Sequence, residues 1–121
     1  MVTDREVVTI DRAELVSKLE HGEPFRLIMA LNEWAFDAKH IPGSEHFNTR
    51  QDLYSSVDPS QEVIVYCTNV DCHASIALYH ELVDRGFQRV RRYAGGLADW
   101  ESAGLSLEGN WAQSEHLSDS G

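Results

Sequence analysis

The sequence predicts an α/β domain in which a largely parallel central sheet carries helices on both faces. Short β-branched or apolar runs alternate with segments of helical periodicity, and the connections between them are short. One run, EVIVYC at residues 62–67, is continuously apolar after its first residue, as suits a strand in the middle of a parallel sheet. At 121 residues the chain is one domain by length, and it can bury a core without disulfide staples.

The first run, VVTI at residues 7–10, is β-branched. DRAELVSKLEHG at 11–22 reads as a helix. Asp11 caps it, Glu14 three positions on completes a capping box, Ala13, Leu15, Val16 and Leu19 share an apolar face, and Gly22 stops it. FRLIMA at 25–30 is a short buried strand. NEWAFDAKH at 32–40 is a second helix that starts on Asn32 and breaks before Pro42-Gly43, with Trp34 and Phe36 read as packing residues of a short helix ahead of the other reading, a rim at the site mouth. HIPGS at 40–44 is a proline-led tight turn that carries the chain from this helix into the 62–67 strand. ASIALYHELVDRG at 74–86 is helical, with Ile76, Ala77, Tyr79, Leu82 and Val83 on its apolar face and Gly86 at its end. RVRRYA at 89–94 is the last strand. Gly95 and Gly96 permit close backbone approach where it ends, and LADWESAG at 97–104 is a short closing helix anchored by Trp100.

Asp and Glu number 20 against 10 Lys and Arg, and the net charge is -10. Such a surface repels nucleic-acid phosphates and anionic membranes, so neither is an expected partner. The 42% hydrophobic content is that of a globular chain. No apolar run approaches the roughly 20 residues of a bilayer span. MVTDREVVTI has none of the features of a secretory signal, so the expected location is cytoplasmic. Residues 1–109 form the expected domain, and NWAQSEHLSDSG at 110–121 is polar, aperiodic and expected to fray.

The chemistry is expected in VIVYCTNVDCHAS at residues 63–75. In open α/β sheets ligands bind beyond the carboxyl ends of the strands. Cys67 stands at such an end, and the next helix starts at about Ser75, so the intervening loop curls over a helix N-terminus. Unpaired amides and the helix dipole there favour a thiolate, and they stabilise an anionic group bonded to its sulfur. The competing reading, a buried structural thiol, loses weight because Thr68, Asn69 and Asp71 make the segment polar. Two cysteines in a reducing compartment point to thiol chemistry rather than a disulfide framework.

These residues carry a family resemblance. VIVYC before a helix, HIPGSEHF at 40–47 and GGLADW at 95–100 stand in the order found in single-domain rhodanese-like sulfurtransferases, and the similarity runs from Val7 to about Glu108. The resemblance implies the rhodanese-like fold, with Cys67 as the persulfide-forming nucleophile and Thr68, Asn69, Val70, Asp71, Cys72 and His73 as the substrate-binding loop. It implies a small sulfur donor (thiosulfate, 3-mercaptopyruvate or a persulfide), a thiol or protein sulfur acceptor, no cofactor and a possible homodimer. In HIPGS it gives His40 a turn-stabilising role.

The chain departs from that pattern in two places. Met29, Ala30 and Leu31 occupy the stretch where the family commonly has an Asp-Val-Arg-like anchor, and an apolar substitute is expected. The loop carries no Arg or Lys and does carry Asp71, which predicts weak thiosulfate affinity. Cys72 is either a resolving thiol, if its Cα lies within about 7 Å of that of Cys67, or a thiol directed into the core beneath the helix. His73 either acidifies the thiol or caps the helix. A Cys-x5-Arg phosphatase or arsenate reductase is disfavoured because His73 replaces the arginine that would neutralise a phosphoryl group. Cys67, Cys72 and His73 make a poor zinc set, so no metal is expected. The alternative to an enzyme is a rhodanese-like binding or redox-sensing module.

Overall fold

The computed structural model describes residues 7–69 and 71–110. Residues 111–121 of the expected tail, and Val70 of the loop, lie outside them. In chain order the elements are β1 (Thr9–Ile10), α1 (Arg12–Glu20), β2 (Arg26–Met29), α2 (Glu33–Ala38), α3 (Arg50–Ser56), β3 (Glu62–Tyr66), α4 (His73–Asp84), β4 (Arg89–Tyr93) and α5 (Gly96–Ser102). The strands form one parallel sheet in the order β1-β4-β3-β2. The EVIVYC run is thus an inner strand with both faces covered, as its composition requires.

Strand alternation divides the core into two layers. Leu27, Met29, Ile64, Tyr66 and Tyr93 face a cluster with Leu15 of α1 and Leu97 and Trp100 of α5. Ile28, Val63, Val65 and Val90 face the opposite cluster, which holds Leu53 of α3 and Leu78, Tyr79 and Leu82 of α4. Leu15, Ile64 and Leu82 are wholly excluded from solvent, and each such side chain contributes about 1.5–3 kcal/mol relative to exposure.

Local capping works much as the residue types dictate. Asp11 accepts from the amide of Glu14 at 2.8 Å and Asn32 accepts from the amide of Ala35 at 2.9 Å. The capping box of α1 is nevertheless only half formed, because the Glu14 carboxylate is drawn to Arg91 of β4 by two bonds of 2.7 and 2.9 Å. Ala13 is exposed, and Leu15 is the buried residue of α1.

Two other expectations are corrected. HIPGS does not lead directly into β3: the chain first forms an isolated bridge between Ile28 and Glu45 and then the short helix α3, capped by Thr49 accepting from the amide of Asp52 at 3.1 Å. The buried series on α4 is Ser75, Leu78, Tyr79 and Leu82, an i, i+3, i+4, i+7 stripe, whereas Ala77 and Val83 are exposed. The apolar pattern passed over Ser75 because it is polar. It is buried because its hydroxyl has an arginine partner, described below.

Candidate active site

β3 ends at Tyr66, Cys67 follows directly, and α4 begins at His73. The loop between folds back on itself through Asn69, whose side-chain oxygen accepts from the amide of Asp71 at 3.0 Å and whose carbonyl accepts from the amide of Cys72 at 3.1 Å. This Asx-type turn brings the two cysteines together. Cys67 and Cys72 are joined as a disulfide, with Cα atoms 6.1 Å apart.

Three supports from elsewhere in the chain hold the loop. The first turn of α5 donates two amides to it, Leu97 N to Cys67 O at 3.0 Å and Ala98 N to Thr68 O at 2.8 Å. The second is Arg92, which pairs with Val65 across the sheet and is buried on the α4 side. Its Nε donates to Ser75 Oγ at 2.8 Å and its terminal nitrogen to Cys72 O at 3.3 Å. Burial lowers the Arg92 pKa from its ordinary value, but a guanidinium starts so high that it remains charged at neutral pH. The third is the HIPGS turn. The Tyr66 hydroxyl accepts from the amide of Ile41 at 3.0 Å and shares a 2.8 Å bond with Ser44 Oγ. His40 stabilises that turn from the outside: its Nδ1 bonds Phe36 O at 2.7 Å, its ring stacks on Phe36, and its backbone pairs with Glu108.

The structure therefore brings Cys67 and Cys72 together and leaves Thr68, Asn69, Asp71 and His73 exposed around them. His73 does not cap α4. It is the first helical residue, and Cys72 is the N-cap, with extended backbone and no side-chain capping bond. Trp34 does not pack as expected and is 65% exposed. Phe36 is partly buried against the core. Met29 is buried in the core and Leu31 packs against the same cluster, an apolar substitute for an anchor at the end of β2. Trp100 is buried and its indole donates to Ser106 O at 2.8 Å.

Arg92, Ser75 and Tyr66 escaped the sequence reading. The signal for Arg92 was present in RVRRY: with Val90 inward, strand alternation turns Arg92 to the same side. Nothing local marks its partners, which lie across the sheet in α4.

The first-turn amides of α4 have no acceptor within the helix, and Cys72 supplies none from its side chain. Cys67 thus lies at a strand end, bonded to the N-cap residue Cys72 of α4, whose carbonyl accepts from the buried Arg92. That arrangement suits a sulfur that carries negative charge and exchanges bonds with another sulfur. Cys67 itself is 1% exposed in the disulfide state, the burial that the competing reading of a structural thiol expected. Among the described residues, no group of three or more His, Cys, Asp and Glu is placed to hold a metal ion.

The architecture is that of the rhodanese-like proteins. The rhodanese-like domain family model matches residues 11–103, and the chain belongs to that family. Among solved structures it is similar to the Alr3790 protein from Anabaena sp., at 28% identity over 83% of this chain and 91% of that one, with a TM-score of 0.75. It shares its fold with the BH2092 protein from Bacillus halodurans, at 20% identity over 91% of this chain and 82% of that one, with a TM-score of 0.79. The human single-domain sulfurtransferase TSTD1 has the same fold at 21% identity, over 80% of this chain and 97% of that one, with a TM-score of 0.67. No curated protein sequence matches the chain.

Proposed function

We propose that the chain is a sulfurtransferase that carries sulfane sulfur as a persulfide on Cys67. The observation that carries the reading is the position of Cys67 at the carboxyl end of β3, ahead of the N-terminus of α4, with its carbonyl and that of Thr68 clamped by α5 amides. Family membership and the sulfurtransferase among proteins of the same fold support it.

In the reduced protein the Cys67 thiolate attacks the outer sulfur of thiosulfate. The new bond forms at Cys67 Sγ, the donor's sulfur–sulfur bond breaks, and sulfite leaves with the electron pair. The persulfide anion that remains is stabilised by the amides of the first turn of α4, as in an oxyanion hole. A thiolate or cyanide then attacks the outer sulfur and restores the Cys67 thiolate. A reducing compartment such as the cytoplasm keeps the loop open for this cycle, and no helix among the described residues is long and apolar enough to cross a membrane.

Intact mass spectrometry tests the reading. Reduced wild-type protein incubated with thiosulfate or 3-mercaptopyruvate gains one sulfur, if only transiently, and Cys67→Ala does not. A second reading, a redox-sensing module without transfer activity, is favoured by the shielding of Cys67 in the disulfide. Absence of any adduct after full reduction would select it.

A further inference from the structure

We propose that Cys72 is the resolving thiol of this loop: it displaces the sulfur from Cys67 as hydrosulfide, so that the electron donor of the cycle is a dithiol reductant. The inference rests on the Cys67 persulfide proposed above.

The disulfide forms within the fold as it stands. The Cα separation of 6.1 Å falls inside the usual span for a bridged pair, and the contacts from α5 and β4 are all in place with the bond made. Cys72 is held by its backbone on both sides. Its amide is tied to Asn69 O, and its carbonyl accepts from Arg92 at 3.3 Å and from Ser75 Oγ at 3.4 Å. Its side chain makes no capping bond, although the N-cap is the position where a polar side chain would make one. A thiol fixed at both backbone ends and directed at Cys67 gives the high effective concentration that an intramolecular displacement needs.

The step balances as follows. The Cys72 thiol attacks Sγ of the Cys67 persulfide anion, the Sγ–Sγ bond forms, and the bond to the outer sulfur breaks. The outer sulfur leaves with the electron pair and takes the Cys72 proton, departing as hydrosulfide. The sulfane sulfur is reduced while the two cysteines are oxidised to the disulfide. A dithiol reductant then reopens the loop. Over one cycle, one thiosulfate and one dithiol give one sulfite, one hydrogen sulfide and one oxidised dithiol. Cys67 is 1% exposed whereas Cys72 is partly exposed, so the reductant engages the Cys72 sulfur. Cys67 then departs as thiolate and is ready for the next donor.

The test compares fully reduced wild type with Cys72→Ser and Cys72→Ala, each given thiosulfate with no thiol present. Wild type is expected to release one sulfide per chain and to finish two hydrogens lighter than it began. The Cys72 variants are expected to hold the added sulfur at least about tenfold longer and to release no sulfide; formation of the adduct also reports that their site is folded. A thioredoxin lacking its second active-site cysteine should be captured on Cys72. An adduct of equal lifetime in all three proteins, without sulfide, overturns the resolving role and leaves the sulfurtransferase reading intact. No adduct in any of them overturns both. Capture of the thioredoxin on Cys67 overturns the order of the reductive half.

Discussion

Gly96 lies directly against the carbonyl of Cys67, at a φ of +62°, with no room for a Cβ. A methyl group there would overlap Cys67 O and sit 2.9 Å from the carbonyl carbon of Thr68. The GGLADW segment thus serves the site as a backbone clamp, and a side chain at this glycine would push α5 off the Cys67 loop.

Gly96→Ala is therefore expected to cost about 2–4 kcal/mol, combining a left-handed conformation with an overlap against backbone that cannot yield. Urea unfolding of the reduced protein measures it. The variant should also lose most of its persulfide loading. Wild-type stability and loading in Gly96→Ala would show that α5 does not position the loop.

Arg92 acts through its contacts with Ser75 Oγ and Cys72 O. Arg92→Met is expected to destabilise the protein by about 1–3 kcal/mol, since it removes charged hydrogen bonds at a buried site. A purely structural role would end there. A positioning role also shifts the Cys67–Cys72 equilibrium in a glutathione buffer toward the dithiol, because a slack loop holds the sulfurs together less often. Arg92→Lys should restore part of the stability without restoring the equilibrium, since an ammonium lacks the fork that reaches two acceptors. Identical equilibria in all three proteins would remove Arg92 from the site.

Tyr66 gives the alkaline limit of stability a specific source. Burial is the main cause that raises its phenol pKa from 10.0 to about 12. The folded state thus favours the neutral form. That contribution is complete below pH 10, falls as pH rises, and is gone above about pH 12, with a total of about 2–3 kcal/mol. Tyr66→Phe should flatten that part of the stability–pH curve and, by leaving the amide of Ile41 without its acceptor, cost about 1–3 kcal/mol near neutrality. Urea titrations of both proteins between about pH 8 and 12 measure the difference. An unchanged alkaline slope in the variant contradicts the assignment.

Thiosulfate should be a poor donor. The loop has no Lys or Arg, Asp71 is exposed on it, and Arg92 is turned inward to protein acceptors. The thiosulfate KM is expected above about 1 mM, beyond the ordinary range for enzymes. Asp71→Arg should lower it about three- to tenfold by reversing the local charge, an effect that salt weakens. Initial rates of sulfite release give both values, and a wild-type KM well inside the ordinary range refutes the charge argument.

Much of this was legible in the chain because the signals are local. The apolar run of β3 and the capping residues Asp11 and Asn32 are read from neighbouring residues, and the structure uses them where they stand. α3 was not legible because it is short and buries only Leu53. Its clearest mark was Thr49 three residues before Asp52. The outward turn of Ala77 and Val83 was hidden for a different reason: burying Ser75 rotates the contact face of α4, and Ser75 is buried because of Arg92, seventeen residues away in another element.

The sequence by itself determined the alternation of strands and helices, the place of Cys67 at the end of the inner strand, and the polar loop after it, because periodicity, capping and turn chemistry are properties of neighbouring residues. Only the tertiary structure decided that Cys72 meets Cys67, that Arg92 supplies a buried cation beneath the loop, and that Gly96 and Tyr66 brace it from two sides. Those relationships depend on the strand order β1-β4-β3-β2. That order brings β4 and the start of α5 beside β3, and no local pattern of residues encodes which strand will be a neighbour.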